Sequence, residues 1–149
     1  MLGTLTNAQM DDLLKKQAVG RLGYRDVRKC YITPVTYAYD GKYIYGQTNE
    51  GMKLNVIREN PFVCFEVDAI LNMANWQSVI LWGHFEELEN DTAKRAREYL
   101  YNNLLDILTS TTIHLHKHEP FRDGDDENPI KQVVYRIGIS EKTGRFETQ

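Results

Sequence analysis

The sequence predicts a mainly β domain with flanking helices, an α+β arrangement in which a small antiparallel barrel carries helices at its ends. Three observations predict it. Short runs rich in β-branched and aromatic residues follow one another with turn chemistry between them. One long strand-like run, 76–88, has Gly83 at its middle, the kind of interruption that marks a bulge or bend in a barrel strand. Two stretches, one near the N-terminus and one after residue 90, repeat apolar residues at helical spacing.

In chain order, Thr6 and Gln9 form a capping-box pattern that opens a helix. Met10, Leu13, Leu14 and Ala18 supply its apolar stripe, and Gly20 is read as its end. A strand is expected over 21–27 and another over 31–39. Asp40-Gly41 then separates 31–39 from a strand over 42–48, which predicts a hairpin with a type I′ turn and positive φ at both central residues. Pro34 sits inside the first arm. It cannot donate to a ladder, so it belongs on an edge or beside a ligand. The stretch TNEG at 48–51 is turn chemistry, and KLNVIREN at 53–60 reads as a short helix that Pro61 stops. A strand over 62–68 follows, then a loop over 69–75, then the long strand. Asn90 is read as the cap of a helix over 91–110 with Ala93, Ala96, Leu100, Leu104 and Ile107 on its apolar face. Residues 111–129 read as a polar loop, 131–140 as the last strand and the remainder as a tail.

The chain has 149 residues, read as one domain over 1–149 with no internal repeat or linker. Hydrophobic content of 42% and charged content of 26% are those of a water-soluble globular protein. A net charge of −3 opposes broad binding to nucleic acid or to an anionic membrane surface, so neither is expected as a partner. The N-terminus carries no basic region followed by an apolar run, and no run approaches the ~20 apolar residues of a membrane helix, so a cytoplasmic location is expected. Cys30 and Cys64 lie singly in strand-like runs with no zinc spacing and are read as small buried hydrophobes.

The signatures of a dinucleotide fold, a P-loop, an α/β-hydrolase and a zinc protease are absent. Two features remain. His114, His116 and His118 alternate in HLHKH, so an extended backbone would put them on one face, where they could meet a haem or metal or simply be solvated. The second is the TNEG turn. Thr48 and Asn49 stand at a strand end, Gly51 leads into a helix, and Lys53 lies in its first turn. A cation there opposes the helix dipole, whereas a phosphate would satisfy both the open N–H groups and the ammonium. Each charge-assisted hydrogen bond to such a phosphate would contribute ~1.5–3 kcal/mol. A plain connector fits the same residues.

The run YIYGQTNEGMKLNVIRENPFVCFEVD over 43–68, followed by WQSVILWGHFEEL over 76–88, resembles the pyridoxamine 5′-phosphate oxidase-related flavoproteins, whose fold is the FMN-binding split β-barrel. GRLGYRDVRKCYITPVTYAYDGKYIYG over 20–46 and RIGISEKTGR over 136–145 are more similar to their nitroimidazole-resistance (Nim-type) branch. The resemblance covers most of the chain. It implies an FMN-dependent oxidoreductase that works as a homodimer, with FMN at the subunit interface, a reduced nicotinamide as electron donor and a small aromatic or nitro compound as acceptor. It implies that Lys53 holds the FMN phosphate beside Thr48 and Asn49. Pro34, Val35, Thr36 and Tyr37 would run along the isoalloxazine, and Ser78 would reach the cofactor, in many members from the partner subunit, with Trp76 and Gln77 as its neighbours. Gln47 lies near the position of the histidine associated with nitroimidazole resistance. Tyr37 and Trp76 are candidates for stacking or gating as well as for a core role.

The sequence departs from the oxidase pattern at Met52, where a second basic residue would stand, which leaves backbone donors or an arginine such as Arg21 to assist Lys53. It also lacks the oxidase's C-terminal arginine and histidine pattern, so pyridoxamine phosphate is not the expected substrate. No catalytic residue is assigned. A haem-handling protein on the same fold and a flavin-binding module without turnover are the alternatives.

Overall fold

A computed structural model of the chain describes residues 1–108 and 131–149. The elements run β1 (Leu2–Thr4), α1 (Asn7–Lys16), β2 (Val19–Arg25), β3 (Cys30–Thr36), β4 (Ala38–Tyr39), β5 (Tyr43–Asn49), α2 (Met52–Glu59), β6 (Phe62–Asn72), β7 (Asn75–Glu87), α3 (Asn90–Leu108) and β8 (Gln132–Glu147). One antiparallel sheet holds every described strand in the order β3-β2-β6-β7-β8-β5-β4, with β1 added alongside β8. β3 and β4 are its two end strands, yet only Tyr37 separates them in the chain. The sheet must therefore curl until its ends meet, which makes it a barrel. The expected mainly β split-barrel architecture with flanking helices is the one observed.

Alternation builds the interior. On β6, Val63, Phe65 and Val67 are buried, while Cys64, Glu66 and Asp68 point the other way and are half-buried. Leu22, Ile44, Val79, Leu81, Tyr135 and Ile137 complete the filling from the other strands. Leu13 and Leu14 of α1 close one end of this core, where the Thr6–Gln9 capping box forms in full. The apolar face of α3 packs Ala93 and Ala96 on Leu88 and Val134, and Leu100 and Leu104 on Ala38.

Several local expectations are corrected. α1 ends at Lys16, and Gly20 lies inside β2, where a Cβ would stand 2.4 Å from the Phe65 ring. The run 31–39 is two strands: β3 pairs with β2, and only Ala38 and Tyr39 pair with β5. The turn at Asp40-Gly41 has positive φ at Gly41 alone. The Asp40 carboxylate accepts the N–H groups of Lys42 (2.8 Å) and Tyr43 (2.7 Å), so a side chain does what a second left-handed residue would have done. Residues 69–72 continue β6 rather than forming a loop. The turn to β7 is tight because Asn72 Oδ1 accepts from Ala74 N (2.9 Å) and Asn75 Nδ2 (3.1 Å). β8 runs to Glu147, well past residue 140, because β7 and β1 offer it partners along its length. Cys30 is exposed and Cys64 half-buried, both free, because both lie on the outward face of their strands.

Gly83 does mark the bend. The β7–β8 register shifts there, from Trp82 opposite Glu141 to Gly83 opposite Ile139, leaving one extra residue on β8. A Cβ on Gly83 would stand 2.1 Å from the Gly138 carbonyl oxygen, so the strands approach too closely for any side chain.

Candidate functional site

The barrel closes imperfectly, and the opening is where the candidate residues gather. β4 covers β5 only at Ile44 and Tyr45, so among the described residues the edge of β5 from Gly46 to Asn49 has no strand on that side. Among the described residues β3 is likewise unpaired along its outer edge. The two edges approach each other without forming a ladder. Pro34, Val35 and Thr36 thus stand on one lip of a seam, and Gln47, Thr48 and Asn49 on the other. Such lips expose backbone N–H and C=O groups that need partners. Pro34, which has no N–H, occupies the edge strand where its missing bond disrupts nothing.

Beyond the β5 lip the chain turns through Glu50 and Gly51 into α2. Gly51 is the N-cap and offers no capping side chain, so among the described residues the first-turn N–H groups have no side-chain acceptor. Space around Gly51 is open, with no heavy atom within 4 Å of a notional Cβ. Lys53 stands in that first turn, half-buried. Among the described residues no carboxylate pairs with it, and burial alone pulls its ammonium below the ordinary lysine range. A cation that is partly desolvated, unpaired and placed at the positive end of a helix is unfavourable by itself. An anion would relieve all three conditions. Gln47 adds a second unmet need. Its amide nitrogen donates to Gln132 Oε1, while its own Oε1 is buried with no partner among the described residues. An anion such as a phosphate fits the open N–H groups and the Lys53 ammonium.

The other sequence-predicted residues lie elsewhere. The Tyr37 ring is 1% exposed, edge-on to Phe65 at 5.2 Å, and its hydroxyl donates to Leu14 O at 2.7 Å. It is a core residue and cannot stack on or gate a ligand, because the chain crosses between the two sheet edges at this point. Trp76, Gln77 and Ser78 begin β7 beside the C-terminal end of β8. Asn49 pairs with Gln132 and Ser78 with Arg145, thirteen positions apart, roughly 40 Å of extended strand. A single copy therefore does not bring Ser78 to Lys53. Trp76 donates its indole N–H to Glu147 (3.2 Å), Gln77 is exposed, and the Ser78 hydroxyl donates to Glu66 Oε1 (3.3 Å). Arg21 does not assist Lys53, since its guanidinium is held between Glu66 (3.4 Å) and Asp68 (3.1 Å). Burial, and then the neighbouring Asp68, push the Glu66 carboxyl up despite Arg21. His114, His116 and His118 lie outside the described residues.

Sequence reasoning missed three residues that shape the seam. Gln132 comes from the far end of the chain to pair with Gln47, and nothing local announces it. Glu50 and Arg58 form an ion pair that joins the two ends of α2, with Glu87 of β7 as a further partner (2.6 Å). Their spacing of eight residues is no recognised helix pattern. Only the turn before the helix brings them together.

A model of the pyridoxamine 5′-phosphate oxidase family matches residues 6–146. An uncharacterized protein of Rhizobium meliloti (strain 1021) is 34% identical over 58 residues, a match that spans 39% of this chain and 38% of that protein. Among solved structures, an FAD-binding protein from Mesorhizobium loti is similar with a TM-score of 0.78 and 26% identity, over 100% of this chain and 98% of the other. A candidate 5-nitroimidazole antibiotic resistance protein from Bacteroides thetaiotaomicron gives 0.69 and 16% over 98% and 87%. An FAD and heme binding protein from Mycobacterium smegmatis gives 0.73 and 14% over 99% and 74%; at such identities these last two speak for the fold alone. With nearly its whole length matched and the barrel topology in place, the chain belongs to the pyridoxamine 5′-phosphate oxidase family.

Proposed function

We propose that this chain is a flavin-binding oxidoreductase of the nitroimidazole-resistance type within its family, with FMN as cofactor and a homodimer as working unit. The observation that carries the reading is Lys53, half-buried and without a described acidic partner in the uncapped first turn of α2, at the end of an unpaired seam. Lys53 and the first-turn N–H groups would hold the phosphate. Thr48 and Asn49 would flank it, and the free backbone of Pro34, Val35 and Thr36, with Gln47 on the facing lip, would run along the ring. The electron chemistry belongs to the flavin when bound, passing electrons from a reduced nicotinamide donor to a small aromatic or nitro compound. The chain's own tasks are to anchor, orient and leave one ring face open. The likeness to the Mesorhizobium loti FAD-binding protein supports a flavin in general.

The homodimer is supported by the placement of Trp76, Gln77 and Ser78 at the opposite end of β8 from Lys53. If these residues serve the cofactor, a second copy has to supply them. The outward face beside them also exposes Ile70 and Ile80, apolar side chains that a partner would cover.

The visible absorption spectrum of the purified protein, alone and after addition of FMN or FAD, tests the proposal. Flavin bands in stoichiometric amount that Lys53→Ala abolishes are the expected result. Preference for FAD would replace the FMN assignment. A Soret band in place of flavin bands would move the function to haem and the site to the histidine-rich segment. Oxidation of a reduced nicotinamide in the presence of a nitroaromatic then separates an enzyme from a binding module, and sedimentation measures the dimer.

A further inference from the structure

Glu50 immediately precedes Gly51, the N-cap of α2. A carboxylate at that point has two favourable neighbours: the open N–H groups of the first helical turn and the Lys53 ammonium three residues on. In the structure it uses neither. Both of its oxygens face Arg58, with Oε1 accepting from NH1 and Oε2 from NH2 at 3.0 Å. Arg58 comes from the last turn of the same helix. Its guanidinium is fixed from the other side by Glu87, through NH2 at 2.6 Å and Nε at 3.1 Å, and it also reaches Asn55 Oδ1 at 3.4 Å. A planar fork held by two carboxylates has a set direction. Lys131 adds positive potential at Glu50. The carboxylate closest in sequence to Lys53 is therefore directed toward the far end of the helix.

We propose that Arg58 is a positioning residue for the anion cradle: it keeps the Glu50 carboxylate off the α2 N-terminus, so that the first-turn N–H groups and Lys53 stay available to the phosphate of a flavin. This inference rests on the phosphate-binding reading of Lys53. Without Arg58, Glu50 becomes an internal competitor. It can cap the helix, pair with Lys53, and place a negative charge beside an incoming dianion. Exposed ion pairs add little to stability, so the role of this pair lies in where it puts a charge.

The test is a fluorescence titration of FMN and of FAD into wild type, Lys53→Ala, Arg58→Ala, Glu50→Gln and the Glu50→Gln/Arg58→Ala double variant, with thermal melts of the ligand-free proteins. Arg58→Ala is expected to weaken binding of the preferred flavin about tenfold, the loss of one charge-assisted interaction. Glu50→Gln alone should bind at least as tightly as wild type. The double variant should return to within about threefold of wild type, a coupling that appears only if the two side chains act through each other. Should Arg58→Ala not fold, Arg58→Gln carries the same expectations.

Unchanged affinity in Arg58→Ala overturns the proposal. So does a loss that Glu50→Gln fails to rescue, because a mere anchor between α2 and β7 would not be restored by removing a charge. If wild type binds neither flavin, or Lys53→Ala binds as wild type does, the phosphate reading itself falls and takes this inference with it. The wild type and Lys53→Ala pair judges the first reading, and the Arg58→Ala and double-variant pair judges the second.

Discussion

Replacing Lys53 with methionine separates its ligand role from its structural cost. The substitution keeps an unbranched side chain of similar length and removes the charge. In the fold, Lys53 is half-buried with no described acidic partner, and burial depresses its pKa below the ordinary 10.5. The native state therefore binds this proton less readily than the unfolded chain. Between the folded pKa and 10.5 stability rises with pH, and at neutral pH the charged lysine opposes folding. Ligand-free Lys53→Met should thus melt no lower than wild type, and its melting temperature should lose the upward trend with pH that Lys53 contributes. Flavin binding should move the other way. Loss of one charge-assisted bond to a phosphate costs ~1.5–3 kcal/mol, or roughly tenfold to slightly over a hundredfold in Kd. Fluorescence titration at constant pH and salt measures the second effect, and calorimetric melts measure the first. An unchanged Kd would refute the cradle. A ligand-free variant destabilised by more than about 1 kcal/mol would show that Lys53 makes a structural contact instead.

Tyr37→Phe should cost about 1–2 kcal/mol by leaving the Leu14 carbonyl without its 2.7 Å partner, and flavin affinity should stay within twofold on the order expected for a residue that touches no ligand; a large affinity loss in urea-matched conditions would return the ring to the site. Gly83→Ala should destabilise by about 3 kcal/mol or more, since a methyl group would meet the Gly138 carbonyl oxygen at 2.1 Å, and urea denaturation would show it. Glu66 is raised above its ordinary 4.5 by burial first and Asp68 second. Its stabilising contribution is complete below pH 4.5 and is lost as pH rises through the folded pKa. Glu66→Gln should therefore be more stable than wild type at neutral pH, with the difference vanishing below pH 4.5; an advantage that persists in acid would refute the linkage.

The sequence by itself determined the parts whose causes are local. The Thr6–Gln9 cap, the apolar stripe of α3, the glycine at the bend of β7 and the turn that feeds Lys53 into the start of a helix each depend on residues a few positions apart. Their periodicity and turn chemistry could be read directly. The lips of the seam were legible in the same way, as a proline in a strand and a polar strand end. What only the tertiary structure decided are pairings across long separations. Whether Tyr37 faced a ligand or the core depended on Leu14 and Phe65. Whether Arg21 was free depended on Glu66 and Asp68. The extension of β6 and β8 depended on each having β7 beside it, since a strand lengthens as far as its neighbour offers hydrogen bonds. The aim of the Glu50 carboxylate was decided by a guanidinium eight residues away and by Glu87 at the end of β7. A carboxylate beside a lysine looks like a pair in sequence, and only the geometry of a third charge keeps them apart.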